Sequence, residues 1–420
     1  KRENIIKFYL LKHYSLEIEK LKTISYKPLP TPHLIIDDLE MNFYSDQVNL
    51  KTNKLYIYPK LFSIYNFNKF QIRKIKLFEN KIQTNLNYFN ILMKEIINLK
   101  NKFYFKDLKI IIEEKDENIL NLNEINFTNF GYKKNIILGK IFNQKFKINI
   151  KDNLKDISFK LLNTGIYFQL NFLDNLSEPY SKGSLKGKVL VSNIKLNFDL
   201  KENYIKINNL FFRDKNLSID AKGNLILKPF FKFNLSSKVN NVNTNILKNF
   251  DLEYYLSLKD LIKKFNSEIN IFFKSKKFGG NLIDDLNIKT STAYGRLNFT
   301  KNIKISKSNF NCKGNTNLVE EYPILNFKCQ LYSLDKKELL KKFKINYKTK
   351  NEKINLIVIG NLNVLNNKIN FDSITTDSGY KASKEDIKYF KYTFENLLFD
   401  KSFINIFELS KIKKLILEIS

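Results

Sequence analysis

Between Leu217 and Leu235 every odd position is apolar or small: Leu217, Ile219, Ala221, Gly223, Leu225, Leu227, Pro229, Phe231, Phe233 and Leu235. The even positions are mainly Ser, Asp, Lys and Asn, with Ile226 and Phe230 as exceptions. Alternation with period two gives a strand one apolar and one polar face. The signal recurs through residues 103 to 240. Phe146, Ile148 and Ile150 are even, Ile157, Phe159 and Leu161 odd, and Ile166, Phe168, Leu170 and Phe172 even again. Ile194, Leu196, Phe198 and Leu200 are followed by Ile205, Ile207 and Phe211. Opposed residues of an antiparallel pair share a face, so each change of parity constrains the intervening turn. A turn at Asn163-Thr164 pairs Leu161 with Ile166. One at Glu202-Asn203 pairs Leu200 with Ile205 and Phe198 with Ile207. Where parity persists, a three-residue turn on Lys228-Pro229-Phe230 pairs Leu227 with Phe231 and Leu225 with Phe233. Pro229 then lacks no ladder bond. The pattern predicts a meander of hairpins.

Other segments change period. KRENIIKFYLLKHY reads as a short amphipathic helix. Pro28, Pro30 and Pro32 force an extended entry, and LIIDDLEMNF, VNLKTNKLYIYP and FQIRKIKLFENKIQT read as strands, with a helical turn at LFSIYN. Residues 87–101 have helical spacing at Phe89, Leu92, Ile96 and Leu99. Helices are also expected over 251–265 (Leu252, Tyr255, Leu256, Leu258, Ile262, Phe265), over 334–343, and over 383–399. The last opens on a capping-box pair, Ser383 and Asp386, and has Ile387, Phe390, Phe394 and Leu397 on its apolar side. The fold class is mainly β with some α. The expectation is an elongated, curved antiparallel sheet of hairpins forming an apolar groove, with short capping helices. A β-rich N-terminal unit covers 1–130 and a sheet unit ending in helices covers 131–420. Roughly 20 strands at about 4.8 Å each would make a sheet of up to about 100 Å.

Composition adds charge to this picture. The 420 residues carry a formal net charge of +30 and are 43% hydrophobic, which suits a folded chain with a large core. Lysines are spread through every strand-like segment, and Arg2, Arg73, Arg213 and Arg296 are the only arginines. Bidentate base readout rests chiefly on clustered Arg, so the pattern disfavours nucleic acid; it fits attraction to anionic lipid headgroups, and equally lysine filling solvent-facing positions under an A/T-rich codon bias. No run of about 18 apolar residues marks a transmembrane helix. The chain starts at Lys1, as expected if a segment precedes it.

Catalytic chemistry finds little support. His13 and His33 are the only histidines. No zinc-protease, paired-cysteine, nucleophile-elbow or phosphate-loop motif occurs. His33, at a strand entrance, reads as a surface residue. Asp37-Asp38 and Glu320-Glu321 are adjacent carboxylates, which on a strand point to opposite faces and make poor acid/base couples. We expect no enzyme, catalytic residue, metal or cofactor. FNCKGNTNLVEEYPILNFKCQL reads as a hairpin centred near Glu320 and Glu321, with Phe310 opposite Leu331 and Cys312 opposite Cys329. Such a register permits a Cys312–Cys329 disulfide in an oxidising compartment, and equally permits two small buried thiols.

The 217–235 stretch, AYGRLNFTKNIKISKSNFNCKGNTNLVEEYPILNFKC and KASKEDIKYFKYTFENLLFD together resemble the AsmA family of bacterial envelope proteins. KPLPTPHLIIDDLEMNF followed by VNLKTNKLYIYPKLFSIYNF resembles the family's start, and the similarity extends over most of the chain. The resemblance implies a periplasmic protein, anchored in the inner membrane by an N-terminal helix absent from this sequence. It further implies a bent β-sheet with an apolar groove that supports phospholipid transport between membranes and outer-membrane assembly. It supplies no catalytic residue. The partners it implies are phospholipid or another acyl-chain lipid, the inner membrane and other envelope proteins. Leu217, Ile219, Leu225, Leu227, Phe231, Phe233 and Leu235 are the candidate groove wall. Two other readings compete: a sandwich whose sheets cover each other's apolar faces, and a non-enzymatic envelope adaptor that binds a protein partner.

Overall fold

The computed structural model describes residues 2–14, 16–43, 48–63, 70–85, 88–89, 91–93, 97, 102–114, 117–151, 154–173, 180–189, 192–201, 204–215, 217–227, 231–242, 256, 259–275, 282–346, 352–399 and 409–419. The chain is mainly β and divides into two compact units. One is Lys1–Val191 with Asp199–Glu202; the other is Ser192–Phe198 with Asn203–Ser420. In each, consecutive strands form an open, curved, mostly antiparallel sheet.

The first unit opens with α1 (Arg2–Tyr14), followed by β1 (Glu17–Lys20), β2 (Thr23–Lys27), β3 (His33–Phe43), β4 (Val48–Pro59) and β5 (Ile72–Thr84). After a helical stretch that includes Leu92 come β6 (Lys102–Glu114), β7 (Glu117–Thr128), β8 (Ile136–Ile141), β9 (Gln144–Lys151), β10 (Asp156–Leu161), β11 (Ile166–Phe172) and β12 (Tyr180–Val189). Its apolar face is closed over β3–β7, whereas Ile157, Phe159, Phe168 and Leu170 of β10 and β11 are only half-buried. Ile6, Leu10 and Tyr14, one helical turn apart on α1, pack with Leu92 and Ile97 into the same buried cluster as Ile36, Met41, Leu50, Ile57, Leu77 and Phe105. That core continues past residue 130, through Phe146 and Ile150. The predicted Leu161–Ile166 pair is formed. His33 departs from expectation: it is buried, stacked on Tyr56 and Tyr58, with Nδ1 2.7 Å from the Thr31 carbonyl. Two aromatic faces exclude the water a surface residue would meet.

The second unit comprises β14 (Tyr204–Arg213), β15 (Leu217–Ile226), β16 (Phe231–Val242), α2 (Lys259–Lys264), β17 (Phe265–Lys274), β18 (Asp285–Ala293), β19 (Arg296–Ile305), β20 (Ser308–Asn317), β21 (Ile324–Ser333), α3 (Lys336–Lys342), β22 (Ile354–Asn363), β23 (Lys368–Thr376), α4 (Lys384–Leu398) and α5 (Leu409–Ile419). β13 (Ser192–Lys201) has residues in both units. Two strand pairs break the antiparallel rule: β5 with β6, and β16 with β17. Parallel neighbours cannot be joined by a tight turn, and both connections contain helical residues, as a crossover requires.

Several sequence expectations are met in these elements. α4 carries the Ser383–Asp386 capping box, and α3 is capped by the Asp335 carboxylate on the Glu338 N–H. Leu225 opposes Phe233 as the parity argument requires; the turn on Lys228-Pro229-Phe230 lies outside the described residues. So do the turn residues Glu202-Asn203, and Ile96, Leu99, Leu252, Tyr255 and Leu258 of the predicted helices. Two expectations are corrected. Phe265 opens β17 instead of closing a helix, because the alternation Phe265, Ser267, Ile269, Ile271 already starts there. Phe211 is exposed opposite Asp220: a bulge between Ile207 and Leu210 shifts the strand by one residue and turns Leu210 and Phe212 to the apolar face instead.

Candidate functional site: a half-covered apolar sheet face

In the second unit the register gathers apolar side chains from many strands into rows. One row is Leu235, Ile269, Thr290, Phe299, Gly314, Phe327, Gly360 and Phe371. The next is Ser237, Ile271, Ile288, Lys301, Cys312, Cys329, Val358 and Ile374. The third is Val239, Phe273, Leu286, Ile303, Phe310, Leu331, Leu356 and Thr376. The candidate residues lie on this face. Leu225 pairs with Phe233, Ile219 with Val239, Leu217 with Val242, and Leu235 with Gly223. Leu227, beyond the end of β15, keeps the same parity.

Two glycines let these rows lie flat. At Gly314 an added Cβ would come within 2.5 Å of the Asn326 carbonyl and 2.6 Å of the Phe299 ring, and at Gly360 within 2.2 Å of the Asn370 carbonyl. Each glycine leaves room for a phenylalanine on the neighbouring strand, which fills the missing side chain's place on the face. Phe231 and Phe233 both stack on Phe265 across the parallel pair, with ring centroids 5.3 and 5.7 Å apart.

The face is covered at one end and open along the rest. α3 and its C-terminal flank bring Leu339, Leu340, Phe343 and Ile345 onto Ile303, Ile305, Phe310 and Leu331, joined by Ile412 and Ile416 of α5. α4 contributes Phe394 and Leu398, with Phe399, over Leu362, Ile369 and Phe371. No comparable buried cluster lies over β14–β18 among the described residues. There Leu217, Ile219, Leu225, Leu227, Phe231, Phe233, Leu235, Phe265, Ile269, Ile271 and Ile288 are all only half-buried. Ile207, Ala221, Ser237 and Val239 on the same face are buried, and among the described residues no second sheet packs on this stretch.

The opposite face is polar and holds a separate furrow of about 930 Å³ over β14–β19. Lys206, Lys222, Asn224, Asn234, Glu268 and Lys289 are among its lining residues. Of the seven candidate wall residues only Leu235 borders it. Besides these lysine, amide and carboxylate groups, the concavity is bordered by Tyr204, Ile207, Leu235, Ile269 and Phe299.

Cys312 and Cys329 are joined in a disulfide across the β20–β21 pair, on the apolar face. The adjacent carboxylates have the surface roles expected of them. Asp37 accepts from the Thr23 hydroxyl, Asp38 pairs with Lys22, and Glu320 accepts from Asn317 in its turn. No group of three or more potential metal ligands exists among the described residues. Sequence reasoning missed Phe265, Ile269, Ile271, Phe299 and Lys301 as members of the face. Their alternation was visible, but the partners that align them across strands were not. No protein-family model matches the chain, and no curated protein matches it.

Proposed function

We propose that the second unit handles lipid, holding acyl chains against the half-covered face over β14–β18, in the manner of an AsmA-like envelope protein supporting phospholipid transport and outer-membrane assembly. The observation that carries this reading is a wide apolar face, built in register from many strands, over which no buried cluster closes among the described residues of β14–β18. Contiguous apolar side chains left partly open to water mark surfaces that take a ligand or a partner. Each methylene removed from water contributes about 0.8 kcal/mol. A chain leaving a bilayer gives up a similar amount, so a face of this kind lowers the barrier to transfer without trapping the cargo. On this reading the protein is not an enzyme and works in the periplasm.

Photocrosslinking tests the proposal. A photoreactive residue at Phe233 or Ile269 is expected to capture lipid in cells, whereas one at Lys232 or Asn270, on the polar face, is not. Capture of protein alone from the apolar positions would overturn the lipid reading in favour of an adaptor.

A further inference from the structure

We propose that this face selects anionic lipids, with the ammonium of Lys301 as the headgroup anchor. The inference rests on the lipid-handling reading and adds the class of lipid to it. Across β14–β23 the apolar face carries a single charged side chain among the described residues, and it is Lys301. Its neighbours across the strands are Ile288 and Cys312, and along β19 they are Phe299 and Ile303. It is half-buried and, among the described residues, has no carboxylate, hydrogen-bond acceptor or aromatic partner.

The other lysines of β18–β20, Lys289, Lys304 and Lys313, fall on the polar face and are exposed. Those are solvated and need no partner, whereas a cation set beside isoleucines and a disulfide lacks that solvation. Burial disfavours the charged form and lowers the pKa of Lys301 from the ordinary lysine value. A buried cation without a counter-ion costs stability, and a ligand that brings the counter-ion removes that cost. Lys301 sits where the open face meets the part capped by α3 and α5. A lipid phosphate paired there could lay its acyl chains over Ile288, Ile271 and Ile269, away from the helices. A zwitterionic headgroup brings its own cation to the phosphate and gains less from the pairing.

The test uses the full chain. Protein is incubated with vesicles of equal parts phosphatidylglycerol and phosphatidylcholine and separated by flotation, and its bound lipid is extracted and quantified by mass spectrometry. Wild type is expected to carry phosphatidylglycerol in several-fold excess. Lys301→Met should carry lipid at a ratio near one, Lys301→Arg should restore the excess, and Lys304→Met, on the other face of the same strand, should leave it unchanged. Thermal melts of each variant establish that it is folded. Bound lipid without a phosphatidylglycerol excess in wild type would overturn the selectivity while leaving lipid handling intact. An equal loss in Lys304→Met would assign the preference to overall charge and overturn the role of Lys301. A folded wild type that carries no lipid would overturn both.

Discussion

Single residues set two local conditions in this chain, and they differ in how well the sequence announces them. The Ser383–Asp386 box was legible because capping acts over three residues and needs no tertiary partner. Asp386 accepts from the Ser383 backbone N–H at 2.9 Å and from the Tyr380 hydroxyl at 2.9 Å, while its own N–H donates to the Ser383 hydroxyl. These bonds, the Ser383 backbone bond first, hold its carboxyl below the ordinary aspartate value of 3.8. A depressed carboxylate adds stability that is complete above the unfolded-state pKa and is lost as pH falls through the folded one. The stability gap between wild type and Asp386→Asn, followed by α4 helicity on heating, should therefore close as pH falls below 3.8. Ser383→Ala should cost about 1 kcal/mol at neutral pH. Lys301 and His33 were opaque by contrast. Their environments are made by residues distant in sequence, and a lysine or histidine letter carries no trace of them.

At the level of elements, parity reasoning worked where strands are neighbours in sequence. It recovered Leu161 opposite Ile166, Leu225 opposite Phe233 and Cys312 opposite Cys329. It failed at the bulge between Ile207 and Leu210, since one extra residue reverses every later assignment and leaves no mark in the pattern. It also gave no warning of the parallel β5–β6 and β16–β17 pairs, because alternation is blind to strand direction. The glycine positions gain meaning only with register. Gly314 stands between Phe299 and Phe327, and its missing side chain is a packing requirement. Gly314→Ala should lower stability by about 1–3 kcal/mol in denaturant titrations, because the Asn326 carbonyl cannot move without opening the β20–β21 ladder. An alanine at Gly379, in a turn where an added Cβ meets nothing, would test backbone conformation instead of packing.

On the scale of the whole molecule, both units contain half-covered apolar strands, β10–β11 in one and β14–β18 in the other, but they differ in the size of the closed core. In the first, Leu10, Ile36, Met41, Leu50 and Ile57 are wholly shielded. In the second, the strands β14–β18 carry side chains that remain half-open. Local stability follows the apolar contact a segment makes, so amide exchange should be slowest in β3–β6 and faster in β15–β17. Adding lipid vesicles should slow exchange in β15–β17 and leave β3–β6 unchanged; no protection there would count against occupancy of the face. Composition and alternation foretold a mainly β chain with an apolar face. Which part of that face stays open depends on where helices settle, and short amphipathic segments do not specify their docking site.

From β17 to β21 each strand pairs with its immediate neighbours in sequence. A sheet built this way can be lengthened or shortened one hairpin at a time: two strands return the chain to the same direction and edge, with the apolar side unchanged. Gene duplication of a hairpin would thus extend the working face by about 9.6 Å, twice the strand spacing, without redesign of what flanks it. The length of such a sheet is adjustable in discrete steps, and a homologue with two more strands would present a longer face of the same kind.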